Sequence, residues 1–150
     1  MTSTRPIDFE IIKEPWNKYQ ISDNTVLKTR TILKRIDRVM DGGKVSFTMD
    51  TQTLSVIYAD PSLRGTPTNR KITEHDIMSS IEKSDLRYDT IGQEFNEYNL
   101  DDGTRIKIFT NVTSVSRTTL RDKRGDPVYG VKSASTIEVK PADHYKSSGK

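Results

Sequence analysis

Two stretches of the chain, 16–39 and 95–118, align with one another at an offset of 79, and this internal match constrains the fold more than any other feature. Seven of the 24 positions are identical: Asn17/Asn96, Tyr19/Tyr98, Asp23/Asp102, Thr25/Thr104, Lys28/Lys107, Thr31/Thr110 and Arg38/Arg117. Apolar character also recurs at Trp16/Phe95, Ile21/Leu100, Leu27/Ile106, Leu33/Val112 and Ile36/Val115, so the match follows positions that would face a core. The expectation is a duplicated unit, spanning about 7–58 and 91–140, with the rest of the chain connecting and finishing the two copies.

Each copy reads as a β-hairpin. Tyr19 and Ile21, like Tyr98 and Leu100, alternate with polar residues and run into a turn rich in Asp, Asn and Gly. A two-residue turn would set Tyr19 against Lys28 and waste an apolar partner. Three-residue loops, Ser22-Asp23-Asn24 and Asp101-Asp102-Gly103, set Tyr19 against Leu27 and Tyr98 against Ile106, and put Asn24 and Gly103 where a left-handed backbone is needed. Leu27 and Leu33 share one phase of the following strand while Ile36 lies on the other, and Ile106, Val112 and Val115 repeat the change. A bulge near Lys34-Arg35 and near Thr113-Ser114 accounts for both.

The fold class expected is therefore mainly β, with duplicated hairpins forming a small barrel or sandwich and one short helix between them. Asp41-Gly42-Gly43 is a strong turn, after which residues 45–58 form either two short strands or one with a bulge. Residues 59–90 read as a connection: an exposed loop to Lys71, then a helix over about Glu74 to Lys83, capped by Thr73, with Glu74 and Asp76 in its first turn and Ile77, Met78 and Ile81 toward the sheet. The 150 residues suit a single domain, with tails 1–6 and 141–150 expected to be disordered.

The composition excludes several classes. Cysteine is absent, so disulfides and thiolate chemistry are ruled out, and no apolar run reaches the roughly 20 residues a membrane helix needs. With no signal-like start either, the expected location is cytoplasmic. His75 and His144 lack partners at metal-ligand spacing, Asp101-Asp102 reads as turn chemistry, and the Asn111-Val112-Thr113 sequon falls in a strand. No nucleophile elbow, P-loop or dinucleotide fingerprint occurs. The reading is a non-catalytic protein without cofactor or metal.

Charge is distributed by element. Residues 28–44 carry net +4, residues 105–124 net +5, and residues 74–102 net −7. The basic residues Lys34, Arg35, Arg38 and Lys44 in one copy, with Arg117, Arg121, Lys123 and Arg124 in the other, are the candidate binding patch. Trp16, Tyr19, Phe95 and Tyr98 are candidate stacking platforms, with a place in the core as the competing role. The expected function is a protein-interaction or assembly module that docks a protein partner or a second copy through opposite charges. The alternative is a β-barrel that binds nucleic acid through the basic hairpin tips.

Overall fold

The computed structural model describes residues 2–146. The strands in chain order are β1 (Thr2–Ile7), β2 (Phe9–Lys13), β3 (Asn17–Ile21), β4 (Val26–Asp41), β5 (Lys44–Tyr58), β6 (Ile81–Lys83), β7 (Tyr88–Gly92), β8 (Asn96–Leu100), β9 (Arg105–Arg121) and β10 (Pro127–Lys140), with short helices α1 (Glu74–Ser79) and α2 (Asp143–Lys146). They build two antiparallel five-stranded sheets packed face to face. One holds β1, β3, β4, β5 and β7; the other holds β2, β6, β8, β9 and β10. The arrangement is a sandwich and not a closed barrel.

The local turn chemistry determines both leading hairpins. Asn24 and Gly103 adopt left-handed backbone, φ 67° and 91°. Ile21 accepts from Asn24 N–H and donates to Thr25, and Leu100 does the same with Gly103 and Thr104. This is the three-residue loop expected, and it sets Tyr19 opposite Leu27 and Tyr98 opposite Ile106. The two-residue turn Gly42-Gly43, φ 59° and 85°, joins Asp41 to Lys44 in the primed geometry that suits strand twist.

The bulges also fall where the change of face required them. Lys34 is skipped in the pairing of β4 with β5, and Thr113 in that of β9 with β10. Each extra residue turns a three-residue spacing into two inward positions, so Leu33 and Ile36 both reach the core, as do Val112 and Val115. The bulges sit on β4 and β9, leaving β5 unbroken. Its inner phase is odd throughout, with Phe47, Met49 and Ile57 against the core, while Leu54 and Val56 lie on the other face; hence one strand, not two.

β4 and β9 cross the sandwich in opposite directions. Leu27 at the start of β4 packs in a cluster with Val112 and Val115 far along β9, whereas Leu33 and Ile36 pack with Ile106 and Ile108 at its start. Between these two apolar clusters lies a hydroxyl row: Thr53 is 3.1 Å from Thr31, which donates to Thr110 at 2.9 Å, and Ser135 is 2.9 Å from Thr110. Asn96 donates to the Thr31 carbonyl at 2.7 Å, and Asn17 to that of Thr110 at 3.5 Å.

Several elements differ from the sequence reading. Residues 2–7 are not a loose tail but β1, paired with Ile36–Asp41 of β4; Pro6 is accommodated because β1 is an edge strand. Residues 81–92 are not connection but β6 and β7. α1 stops at Ser79, since Ile81 pairs with Thr118 of β9 and becomes strand, leaving Ile81 and Met78 exposed. The Thr73 cap is present as a full capping box with Asp76. Residues 59–72 are anchored: Gly65 N–H donates to Gly125 and Thr68 N–H to Asp122, clasping the β9–β10 tip. At the chain end Ala142 is buried and Tyr145 hydrogen-bonds Asp102, while residues 147–150 lie outside the described part.

The strand β2 leaves the sheet of β1 and pairs with β8, and β7 reciprocally pairs with β3. An offset of 79 carries the bounds of β2 onto those of β7 and the bounds of β3 onto those of β8. Each half of the chain thus completes the other half's sheet.

The hydroxyl row generates a coupling prediction. Thr31→Val or Thr110→Val leaves buried partners unsatisfied and is expected to cost about 1–3 kcal/mol each. The double variant is expected to cost clearly less than the two together, because both ends of the 2.9 Å bond then go. Urea denaturation midpoints at unchanged m-value check this; strict additivity would show that the row is not a coupled unit.

Candidate functional site

The eight basic candidates fall into two groups. Because β4 and β9 run in opposite directions from the Thr31–Thr110 contact, Arg38 and Arg117 each lie seven residues from it, on opposite sides. At about 3.3 Å per residue this separates them by roughly 40 Å. The two hairpin tips therefore sit at opposite ends of the sandwich and do not form one patch.

Much of their charge is also answered within the chain. Arg117 reaches Asp23 at 3.0 Å and Glu82 at 2.8 Å, Arg38 reaches Asp102 at 3.6 Å, Arg35 reaches Asp37 at 3.0 Å, and Lys34 reaches Asp50 at 3.8 Å. Arg121 lies over Gly65 and donates to the Leu120 carbonyl at 3.0 Å. Lys44, Lys123 and Arg124 have no ion pair among the described residues.

The two Asp–Arg contacts explain conserved spacing within the chain. Asp23 at the tip of the β3–β4 hairpin meets Arg117 of β9, and Asp102 at the tip of β8–β9 meets Arg38 of β4. Each Asp also caps its own turn, accepting from Thr25 N–H at 3.1 Å and Thr104 N–H at 2.9 Å. A tyrosine hydroxyl donates to each at 2.6 Å, Tyr129 to Asp23 and Tyr145 to Asp102. Burial by itself would raise the Asp23 carboxyl, but the bonds from Tyr129, Thr25 and Arg117 outweigh it and hold it below the usual carboxylate range; Tyr145, Thr104 and Arg38 do the same for Asp102. Burial and the Asp23 carboxylate push the Tyr129 hydroxyl up.

The aromatic candidates divide by phase. Tyr19 and Tyr98 are 1% and 0% exposed, so neither is available to stack on a ligand. Trp16 and Phe95 precede the strands, outside the core, and are covered by cations: Lys28 lies 5.1 Å from the Trp16 ring, and Lys13 and Lys107 lie 3.9 and 4.6 Å from that of Phe95.

The tyrosine pair reveals a carboxylate that sequence reasoning missed. Tyr98 accepts from Asn96 and donates to Glu14 at 2.7 Å, and Glu14 also accepts from Leu33 N–H at 3.1 Å and faces Arg30 at 3.5 Å. Burial together with Glu14 pushes the Tyr98 hydroxyl up. Gln93 stands 79 residues after Glu14 and turns instead to Asn111, and the Tyr19 hydroxyl, buried near Thr29 and the Val112 backbone, makes no well-formed hydrogen bond among the described residues. A lone Glu before Pro15 carries no periodic signal, which is why this site was not legible beforehand.

The longest strands with an unpaired edge are the outer pair, β5 and β10. β5 pairs only with β4 and β10 only with β9, so each has one unpaired edge among the described residues. They lie on the same side of the sandwich: Ile57 of β5 packs on the cluster that holds Tyr129 and Val131 of β10. From Thr51 to Tyr58 β5 is uncharged and contains neither Gly nor Pro. From Lys132 to Lys140 every residue of β10 is exposed. A cleft of about 500 Å³ opens beside β10, walled by Ile77, Met78, Ile81, Tyr129 and Val131. No described helix is long and apolar enough to cross a membrane.

Neither a family model, nor a curated protein, nor a solved structure matches this chain.

The tip contacts yield two predictions. Arg117→Ala removes two short ion pairs from a side chain only 16% exposed and is expected to cost about 2 kcal/mol, while Arg38→Ala, at 3.6 Å and 33% exposed, is expected to cost under about 1 kcal/mol. Thermal unfolding of both variants tests the order, and equal losses would refute it. Because folded Asp23 and Asp102 titrate below their unfolded values, their contribution is full above about pH 4 and is lost as the pH falls through the folded values. The double variant Asp23→Asn/Asp102→Asn should therefore lose stability at pH 7 and show a flatter acid limb; an unchanged acid limb would exclude these groups as its cause.

Proposed function

We propose that this chain is a non-catalytic protein-interaction and assembly module that recruits an extended polypeptide segment to the free edge of β5. The observation that carries the reading is the uncharged run Thr51–Tyr58 on a strand that pairs only with β4. Such an edge presents a row of backbone donors and acceptors, and soluble proteins ordinarily guard it with Lys, Pro or a bulge. Here the bulge lies on β4 at Lys34, and the guard is absent from this half of β5. An added strand would bond through its backbone, while Leu54 and Val56 on one face and Ser55 and Ile57 on the other would select its side chains.

Opposite-charge docking is a weaker basis for the same function, since Glu82, Asp102 and Glu94 of the acidic stretch are engaged internally by Arg117, Arg38 and Lys13. Nucleic-acid binding at the basic tips is the rival reading. Against it stand the distance between the tips and the internal pairing of Arg38 and Arg117. We further infer that the two halves descend from one duplicated unit; support comes from the offset of 79 shared by residues and strand bounds.

The test is selection from a displayed library of extended peptides, followed by hydrogen exchange. Selected peptides are expected to slow exchange of amides in 51–58 and to bind at least about tenfold more weakly to Val56→Lys, which places a charge on the edge. Protection elsewhere, or indifference to the lysine, would sink the reading. Fluorescence anisotropy with labelled oligonucleotides at low salt is expected to show no binding; binding lost on neutralising Arg121, Lys123 and Arg124 would put nucleic acid in its place.

A further inference from the structure

We infer that β10 is a self-association edge: a second copy of this chain pairs antiparallel with it about a two-fold axis at Ser135, setting Lys132 of each copy opposite Glu138 of the other. This rests on the edge reading above and names a partner for the second free edge.

Pro127 and Tyr129 are buried at the start of β10, yet from Lys132 onward every residue is exposed, including those on the inner phase. Ile137 is 45% and Val139 36% exposed, although both continue the phase of Tyr129 and Val131 that faces the core. The strand is regular on its own side, because the bulge at Thr113 belongs to β9. An exposed, unbroken edge with apolar residues on its inward phase is the kind of surface that adds a strand.

The charges then select the register. In an antiparallel two-fold pair, residues equally spaced on either side of the centre oppose one another and share a face. Centring on Ser135 sets Lys132 against Glu138 twice, Val131 against Val139 twice, and Ser133 against Ile137. No like charges are opposed in this register, since Lys140 meets Gly130. Neither Lys132 nor Glu138 has an ion pair among the described residues, so both are free to pair between copies. Ser135 also closes the hydroxyl row through Thr110, which places the axis beside the crossing of β4 and β9.

The β5 edge carries the same spacing, with Lys44 and Asp50 six apart, but it is less suited to a second copy. Asp50 already lies 3.8 Å from Lys34, and Phe47 and Met49 between the two charges pack on the core. A single strand-to-strand contact over residues 130–140 is small against a standard interface, so the dimer is expected only at high protein concentration.

Sedimentation equilibrium from about 10 µM to 1 mM protein, at low and moderate salt, tests the assignment. The unmodified chain is expected to dimerise, less so as salt rises. Lys132→Glu and Glu138→Lys each create two like-charge oppositions and are expected to weaken the dimer about tenfold or more, while the double exchange Lys132→Glu/Glu138→Lys restores it. Lys44→Glu is the control and should leave the dimer intact. A chain that stays monomeric throughout overturns the proposal, as does a dimer indifferent to the single reversals or one lost through Lys44→Glu. A monomer that still takes a peptide at Thr51–Tyr58 would overturn this inference alone and leave the β5 reading standing. Both reversals are at exposed positions, so an unchanged thermal midpoint shows that association, not folding, was altered.

Discussion

Each sheet lacks a strand that only the other half of the chain can supply: β2 crosses to lie beside β8, and β7 crosses to lie beside β3. Neither half can satisfy its hydrogen bonds or cover its core alone, because the residues that pack against Tyr98 include Phe9 on β2, and those against Tyr19 include Tyr88 on β7. Folding is consequently tied to long-range pairing, with the loop-closure entropy that this entails. The rest of the molecule fits around the exchange. Bulges at Lys34 and Thr113 let two long strands coil past one another, and the hydroxyl row fixes where they cross.

All seven residue identities between the halves acquire a physical reason from this arrangement. Thr31 and Thr110 bond each other, Asn17 and Asn96 each bond the backbone of the opposite sheet, and Tyr19 and Tyr98 anchor the two clusters. Asp23 and Asp102 receive Arg117 and Arg38 across the sandwich. Thr25 and Thr104 close the turns, and Lys28 and Lys107 lie over Trp16 and Phe95. What recurs is mostly polar because apolar core positions tolerate exchange among similar volumes, whereas a hydrogen bond requires a particular atom at a particular place.

The same geometry concentrates what is left over on one side. β1, β2, β6 and β7 also pair on one side only, but they run three to six residues, so the long open edges are those of β5 and β10. In most small sandwiches such edges are short or guarded; here both run along the full length of the domain. The proposed interaction function rests on these edges and not on the charged tips, where Arg38 and Arg117 pair with Asp102 and Asp23 of the other half.

The alternation of apolar residues, the demand for left-handed backbone at Asn24 and Gly103, and the change of face near Lys34 and Thr113 all act over a few residues. The sequence by itself therefore determined the hairpins, their register, the bulges and the Thr73 cap. It could not determine that Thr2–Ile7 is a strand, since Thr-Ser-Thr-Arg-Pro has no periodicity and pairs only because Ile36–Asp41 offers an edge. Nor could it reveal Glu14 beneath Tyr98, the separation of the basic tips, or the openness of β10. Those depend on which distant strands meet. That choice lay with the tertiary structure, because pairing such as Phe9 with Leu100 or Ile21 with Tyr88 joins residues far apart in the chain, is settled by the packing of two whole sheets and leaves no local trace in the sequence.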